Sequence, residues 1–123
     1  MRIPGFIARQ FYVAGSLRNT PGGFELQAQN PMGEGVLVGV GRMKVDGRDI
    51  DPETVTARRE GDPDPIRARD ITRLRPVAVS KGDRVTLHVD GAPLEPGEHE
   101  LEVELIELNL GQLSFSISDQ VAG

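Results

Sequence analysis

Histidine, carboxylate and arginine side chains are the groups in this chain with the chemistry for acid–base, metal or anion work. Their spacing decides how much of it they can do. His88 and His99 are the only two histidines among 123 residues. An imidazole titrates near neutral pH and ligates metals readily, so the pair gives one alternative reading, a free-standing small enzyme or metal-binding protein that uses Arg18, His88 and His99 at strand ends. The triplet Glu98-His99-Glu100 has a metal-like composition. In an extended segment, however, neighbours point to opposite faces, so Glu98 and His99 share a site only where the chain bends. Alternation along RVTLHVDG and EHELEVEL is read as placing both histidines outward, on different strands.

Glu98, Glu100, Glu102 and Glu104 fall on one face of a single strand. Their spacing of about 7 Å is one that glycosidase carboxylates can have. Such a pair normally flanks a bond across a cleft, whereas this row lies along one strand, which fits a solvated face or a surface for a basic partner centred on Glu100 and Glu102. The glycine-rich GEGVLVGVG has neither the dinucleotide nor the phosphate-loop spacing, and no G-x-S-x-G elbow organises a nucleophile. No catalytic residue, no metal site and no cofactor are therefore expected in this chain, which reads as not catalytic on its own.

The net charge of -5 is unevenly spread. Residues 1–45 carry five basic and two acidic groups, 46–75 carry seven and eight, and 76–123 carry two and nine. The acidic last third opposes nonspecific nucleic-acid binding, which needs several cations on one surface. The middle cluster Arg58, Arg59, Arg67, Arg69, Arg73 and Arg75 is interleaved with acids and reads as a mixed-charge face, with Arg67 and Arg69 as candidate contacts for an acidic partner. Arg18 and Asn19, in SLRNTPGGFELQAQNP, are the other exposed candidates.

The elements that must position these groups are strands. Nine Pro and fifteen Gly leave few windows for a helix. Phe24, Leu26 and Ala28 alternate with polar residues, as do Val85, Leu87 and Val89, and Leu113, Phe115 and Ile117. Asp46-Gly47 between a short apolar pair and Ile50 is a hairpin signal, and Pro21-Gly22-Gly23 turns the chain into the Phe24 strand. Leu101, Val103 and Leu105 share a phase, and Ile106, Leu108 and Leu110 take the opposite one, a slip expected of a bulge. The block PIRARDITRLRPVAVS supports both a short helical turn and an extended run after Pro76.

About eight short strands without a long helix predict an all-β, antiparallel two-layer β-sandwich of the immunoglobulin or fibronectin III kind, with residues 1–15 as an N-terminal arm and 16–123 as one domain. The absence of cysteine suits a reducing compartment, and no run approaches the roughly 20 apolar residues of a membrane span, so the expectation is a cytoplasmic protein away from membranes.

The order of several words across residues 15–108 resembles the small (beta) subunit family of bacterial C-glycoside deglycosidases and related uncharacterised proteins. They are L-R-N-T at 17–20, G-F-E-L at 23–26 with Asn30-Pro31, V-D-G at 45–47 with Pro52-Glu53, and P-G-E-H-E at 96–100. That resemblance implies a noncatalytic accessory subunit docking onto a larger barrel-type subunit, which would hold the divalent metal and the catalytic residues for cleaving a carbon–carbon bond to a sugar. A homo-oligomer is the other assembly it leaves open. A carbohydrate-binding module is a further alternative, disfavoured by the lack of tryptophan and the single tyrosine.

Overall fold

A computed structural model describes residues 2–122 of the chain. In chain order its elements are helix α1 (Gly5–Phe11) and strands β1 (Arg18–Thr20), β2 (Gly23–Gln29), β3 (Gly35–Val45), β4 (Arg48–Asp49), β5 (Val55–Arg59), β6 (Ile66–Arg67), β7 (Val77–Val79), β8 (Arg84–Asp90), β9 (Gly97–Glu107) and β10 (Gly111–Val121). The strands form two antiparallel sheets, β1-β2-β8-β5-β6 and β10-β9-β3-β4, with β7 also on β3. This is the all-β two-layer sandwich expected, with four two- or three-residue strands among its ten.

Apolar alternation explains the layers. Phe24, Leu26 and Ala28 of β2 stand opposite Val89, Leu87 and Val85 of β8, so both strands turn the same apolar face inward. From the second sheet Met43, Val45, Leu101, Val103, Phe115 and Ile117 meet them. Phe115, Leu26, Leu87 and Leu101 are the largest fully buried side chains, each stabilising the fold by roughly 1.5–3 kcal/mol through burial.

Turn chemistry sets the strand ends. Asp46 and Gly47 both have positive φ, 52° and 79°, which gives the tight β3–β4 hairpin its twist. At Gly23 a Cβ would stand 1.9 Å from the Val89 carbonyl oxygen, so the entrance to β2 admits only glycine. The ambiguous block after Pro65 divides between its two readings: β6, a 3-10 turn at Ala68–Asp70, a Thr72–Arg75 bridge, then β7.

The expected bulge lies on a different strand. β9 pairs with β10 without interruption from Gly97–Val121 to Glu107–Gly111. The register shifts occur on β3, between Leu37 and Gly39 and between Val40 and Met43. Extra residues there let Leu37 and Val38 both be buried, and Ile106 and Glu104 lie over Gly39 and Gly41, where a Cβ would come within 2.9 and 2.2 Å of them.

The N-terminal segment is docked along β10. Ile3 N–H donates to the Ser114 carbonyl at 2.8 Å, Ala8 is fully buried, and the Phe11 ring stacks on Phe115 with centroids 6.4 Å apart. Tyr12 is buried and its hydroxyl donates to Asp119, whose carboxylate also accepts from Gly15 N–H at 2.9 Å. Burial first, and the Asp119 carboxylate next, push the Tyr12 phenol far up, so it stays a neutral donor.

Candidate functional site

The two ends of the sandwich are built differently, and the residues singled out from sequence gather mostly at the closed one. There the chain from β8 returns to β9 through residues 91–96, with Leu94 buried beneath it. Asn19 holds this loop: its amide N–H donates to the Leu94 carbonyl at 2.9 Å and its amide oxygen accepts from Leu94 N–H at 2.8 Å. Both ends of that side chain are spent on the protein itself.

His99 is the clearest correction. It faces inward, only 9% exposed, because it shares parity with Leu101 and Val103; the alternation that buries those residues buries it too. Its Nδ1 lies 2.6 Å from an Asp46 carboxylate oxygen and its Nε2 2.6 Å from the Glu95 carbonyl. Both neighbours are acceptors, an arrangement that favours a proton on each ring nitrogen and hence the imidazolium form. The Glu95 carbonyl and then Asp46 raise its pKa above the ordinary histidine value, while the His99 ring and the Glu100 N–H lower that of Asp46. The Asp46 carboxylate also accepts from Glu100 N–H at 2.9 Å, so this pair ties the β3–β4 hairpin to β9.

His88 does face outward, on the other sheet, with Nε2 3.0 Å from Asp90. The two histidines thus have separate partners on separate layers and do not converge; His88 alone shares a cross-strand row with Arg18, with Glu25 between them. Among the described residues no group of three or more His, Cys, Asp or Glu is placed to hold a metal ion.

The remaining candidates divide simply. Arg18 is exposed and pairs with Glu25 at 2.5 Å. Arg69 pairs with Glu53, and Arg67 is exposed on edge strand β6. Glu100 and Glu102 lie on the outer face of β9, in register with Ser118 and Ser116 of β10.

At the opposite end the sheets part around a cavity of about 330 Å³. Its inner wall is Leu37, Val85, Leu87, Leu105, Leu113 and Phe115. Its mouth lies between the β2–β3 and β9–β10 turns, where Met32 is 57% and Leu110 47% exposed. Asn30 fixes the first turn, donating to the Val79 carbonyl at 3.0 Å and accepting from Met32 N–H at 3.0 Å. Glu107 fixes the second, accepting from Val36, Asn109 and Leu110 N–H at 2.8, 2.7 and 2.9 Å. Burial pushes the Glu107 pKa up, but these amides outweigh it and hold the carboxyl below its usual range, so it stays charged. Glu34 and Asp83 join it in the lining, and no Lys, Arg or His does.

The signal for this site in the sequence is faint: a methionine in the polar turn NPMGEG, and a leucine just before Gly111. Single exposed apolar residues are ordinary, and only the fold brings these two to one mouth.

Fold and cavity together define a small all-β domain whose perturbed ionisable groups knit its own strands together. The chain belongs to the hydroxymethylglutaryl-CoA reductase N-terminal domain family, which it matches over residues 7–122. No curated protein matches it. The family match overturns the resemblance to the C-glycoside deglycosidase small subunit, and with it the accessory-subunit and carbohydrate readings drawn from that resemblance. The words that carried it are turn chemistry: Gly23, Asp46, Gly47 and Gly97 sit at positive φ, where any sandwich of this shape needs such residues.

Proposed function

We propose that this chain is a binding and positioning domain of a hydroxymethylglutaryl-CoA reductase-type enzyme, and that a separate catalytic domain, with which it assembles, carries out the reduction. The observation that carries this reading is the family match, which takes in nearly all of both sheets. A reductase acting on a CoA thioester must hold a ligand bearing several phosphate charges, a task for converging cations and backbone amides. The cavity here is lined by carboxylates and apolar groups, which repel such a ligand. No helix of the described residues is long and apolar enough to cross a membrane. Lack of cysteine supports the cytoplasm as the place of assembly.

The docking surface is the arginine-bearing loop. Thr72 Oγ1 accepts from Leu74 and Arg75 N–H, each at 3.2 Å, and the Thr72–Arg75 bridge closes the turn. This rigid turn presents Leu74, 94% exposed, between Arg73 and Arg75. An apolar anchor flanked by cations fits a recess with an acidic rim, the charges setting orientation and arrival rate.

The test is to mix the purified chain with the matching reductase catalytic domain and measure mass by light scattering after size exclusion. A one-to-one complex that Leu74→Asp weakens is expected, with no reduction of hydroxymethylglutaryl-CoA by the chain alone. Turnover by the isolated chain, or failure of the two to associate, would overturn the reading.

A further inference from the structure

We infer that the cavity at the open end of the sandwich is a binding site for a small apolar molecule with an uncharged or cationic head. The inference stands apart from assembly with a reductase. Three observations carry it.

The first is size. An apolar protein cavity of about 150 Å³ accepts benzene, so 330 Å³ suits a molecule of roughly a dozen heavy atoms. The space is also at the lower end of what ligand pockets occupy. The second is lining. Leu37, Val85, Leu87, Leu105, Leu113 and Phe115 offer no hydrogen bond to water inside, so an alkyl or aromatic body gains contacts that water there cannot replace. The turns at the mouth are braced in the open position, by Asn30 on one side and Glu107 on the other, so little ordering remains to oppose binding.

The third is charge. Glu34, Asp83 and Glu107 stand in the lining without a basic residue among them. The Glu107 carboxylate is held charged by the backbone amides of Val36, Asn109, Leu110 and Leu108, while Glu34 and Asp83 add carboxylate oxygens to the lining that call for a donor or a cation. A hydroxyl or ammonium head meets that requirement. A carboxylate or phosphate head meets repulsion strengthened by the apolar surroundings. The site thus selects against fatty acids and acyl-CoA, although its interior would suit their chains.

The experiment uses three probes of one chain length, 1-nonanol, nonylammonium and nonanoate, titrated into the whole protein at neutral pH by calorimetry. Nonanol and nonylammonium are expected to bind one to one, and nonanoate about tenfold or more weakly. Ala28→Phe places a ring in the cavity from β2 and should weaken the two good probes about tenfold or more. Glu34→Lys, on the exposed turn, leaves packing alone and should narrow the gap between nonylammonium and nonanoate at least about threefold. Binding of nonanoate as tightly as nonylammonium, affinities indifferent to both substitutions, or no binding of any probe would each overturn the inference.

Discussion

The closed and open ends of the sandwich use the same strands for opposite purposes. β9 begins at the closed end, where His99 and Leu101 are buried, and finishes at the open end, where Leu105 and Glu107 line a cavity. At the closed end, Asn19 and His99 reach across to other segments and lock them. At the open end, Asn30 and Glu107 brace their own turns and tie them to β7 and β3 along the rim, and leave the space between the sheets empty of side chains. Stability is thereby concentrated at one end, and the other is left free to receive a ligand.

The strongest test compares two leucines on one strand and one face. Leu101 is 1% exposed among tightly packed neighbours, and Leu101→Ala should cost about 2–5 kcal/mol in urea unfolding, since the lost contacts leave a new cavity. Leu105 is half-buried and already borders open space, so Leu105→Ala should cost less than half as much. Equal losses would mean that the open end is packed as firmly as the closed one, and the contrast between the ends would fail.

Next in size is the His99 clasp. His99→Phe keeps most of the volume but removes the ring's bonds to the Asp46 carboxylate and the Glu95 carbonyl, leaving Asp46 with only the Glu100 N–H, a loss of about 1–3 kcal/mol. The pH dependence has a definite sign. The folded pKa of His99 is raised, so its contribution is complete below the unfolded value of about 6.5 and fades as pH rises through the folded one. The folded pKa of Asp46 is lowered, so its contribution is complete above about 3.9 and fades as pH falls through the folded one. Unfolding midpoints should therefore be higher at pH 5.5 than at pH 8.5, and His99→Phe should flatten most of that difference. A wild-type midpoint that climbs with pH over this interval would show that the ring is not held as a cation.

How much of this was legible in the sequence follows the range of each interaction. Alternation at Phe24, Leu26 and Ala28 and the Asp46-Gly47 pair are local, and they appear in the fold as read. His99 shares parity with Leu101 and Val103, so the alternation of β9 in fact turns it inward, against the outward expectation. Its burial is permitted by Asp46, 53 positions away, and that pairing leaves no local trace. The phase slip at Ile106 was real as a pattern, yet the strand that absorbs it is β3, where Gly39 and Gly41 make room. The cavity draws on strands from both sheets and on two turns, so no window of sequence contains it. The same locality explains the mistaken resemblance: turn words report how a strand begins, not which family the strand serves.

The smallest effects separate two neighbours. Arg18 and Asn19 were read together as exposed contacts, but the structure gives them different work. Asn19→Ala removes two hydrogen bonds to the Leu94 backbone and should cost about 1–2 kcal/mol, enough to loosen the loop over the closed end. Arg18→Ala removes an exposed pair with Glu25 and should change stability by less than about 0.5 kcal/mol, within what surface pairs usually give. Amide hydrogen exchange sharpens the difference, because the Leu94 N–H is donated to Asn19 itself. Its protection should fall in Asn19→Ala and stay unchanged in Arg18→Ala. If both substitutions left Leu94 protected, the loop would be held by the burial of Leu94 alone, and the closed end would owe its firmness to packing rather than to the polar ties that distinguish it from the open end.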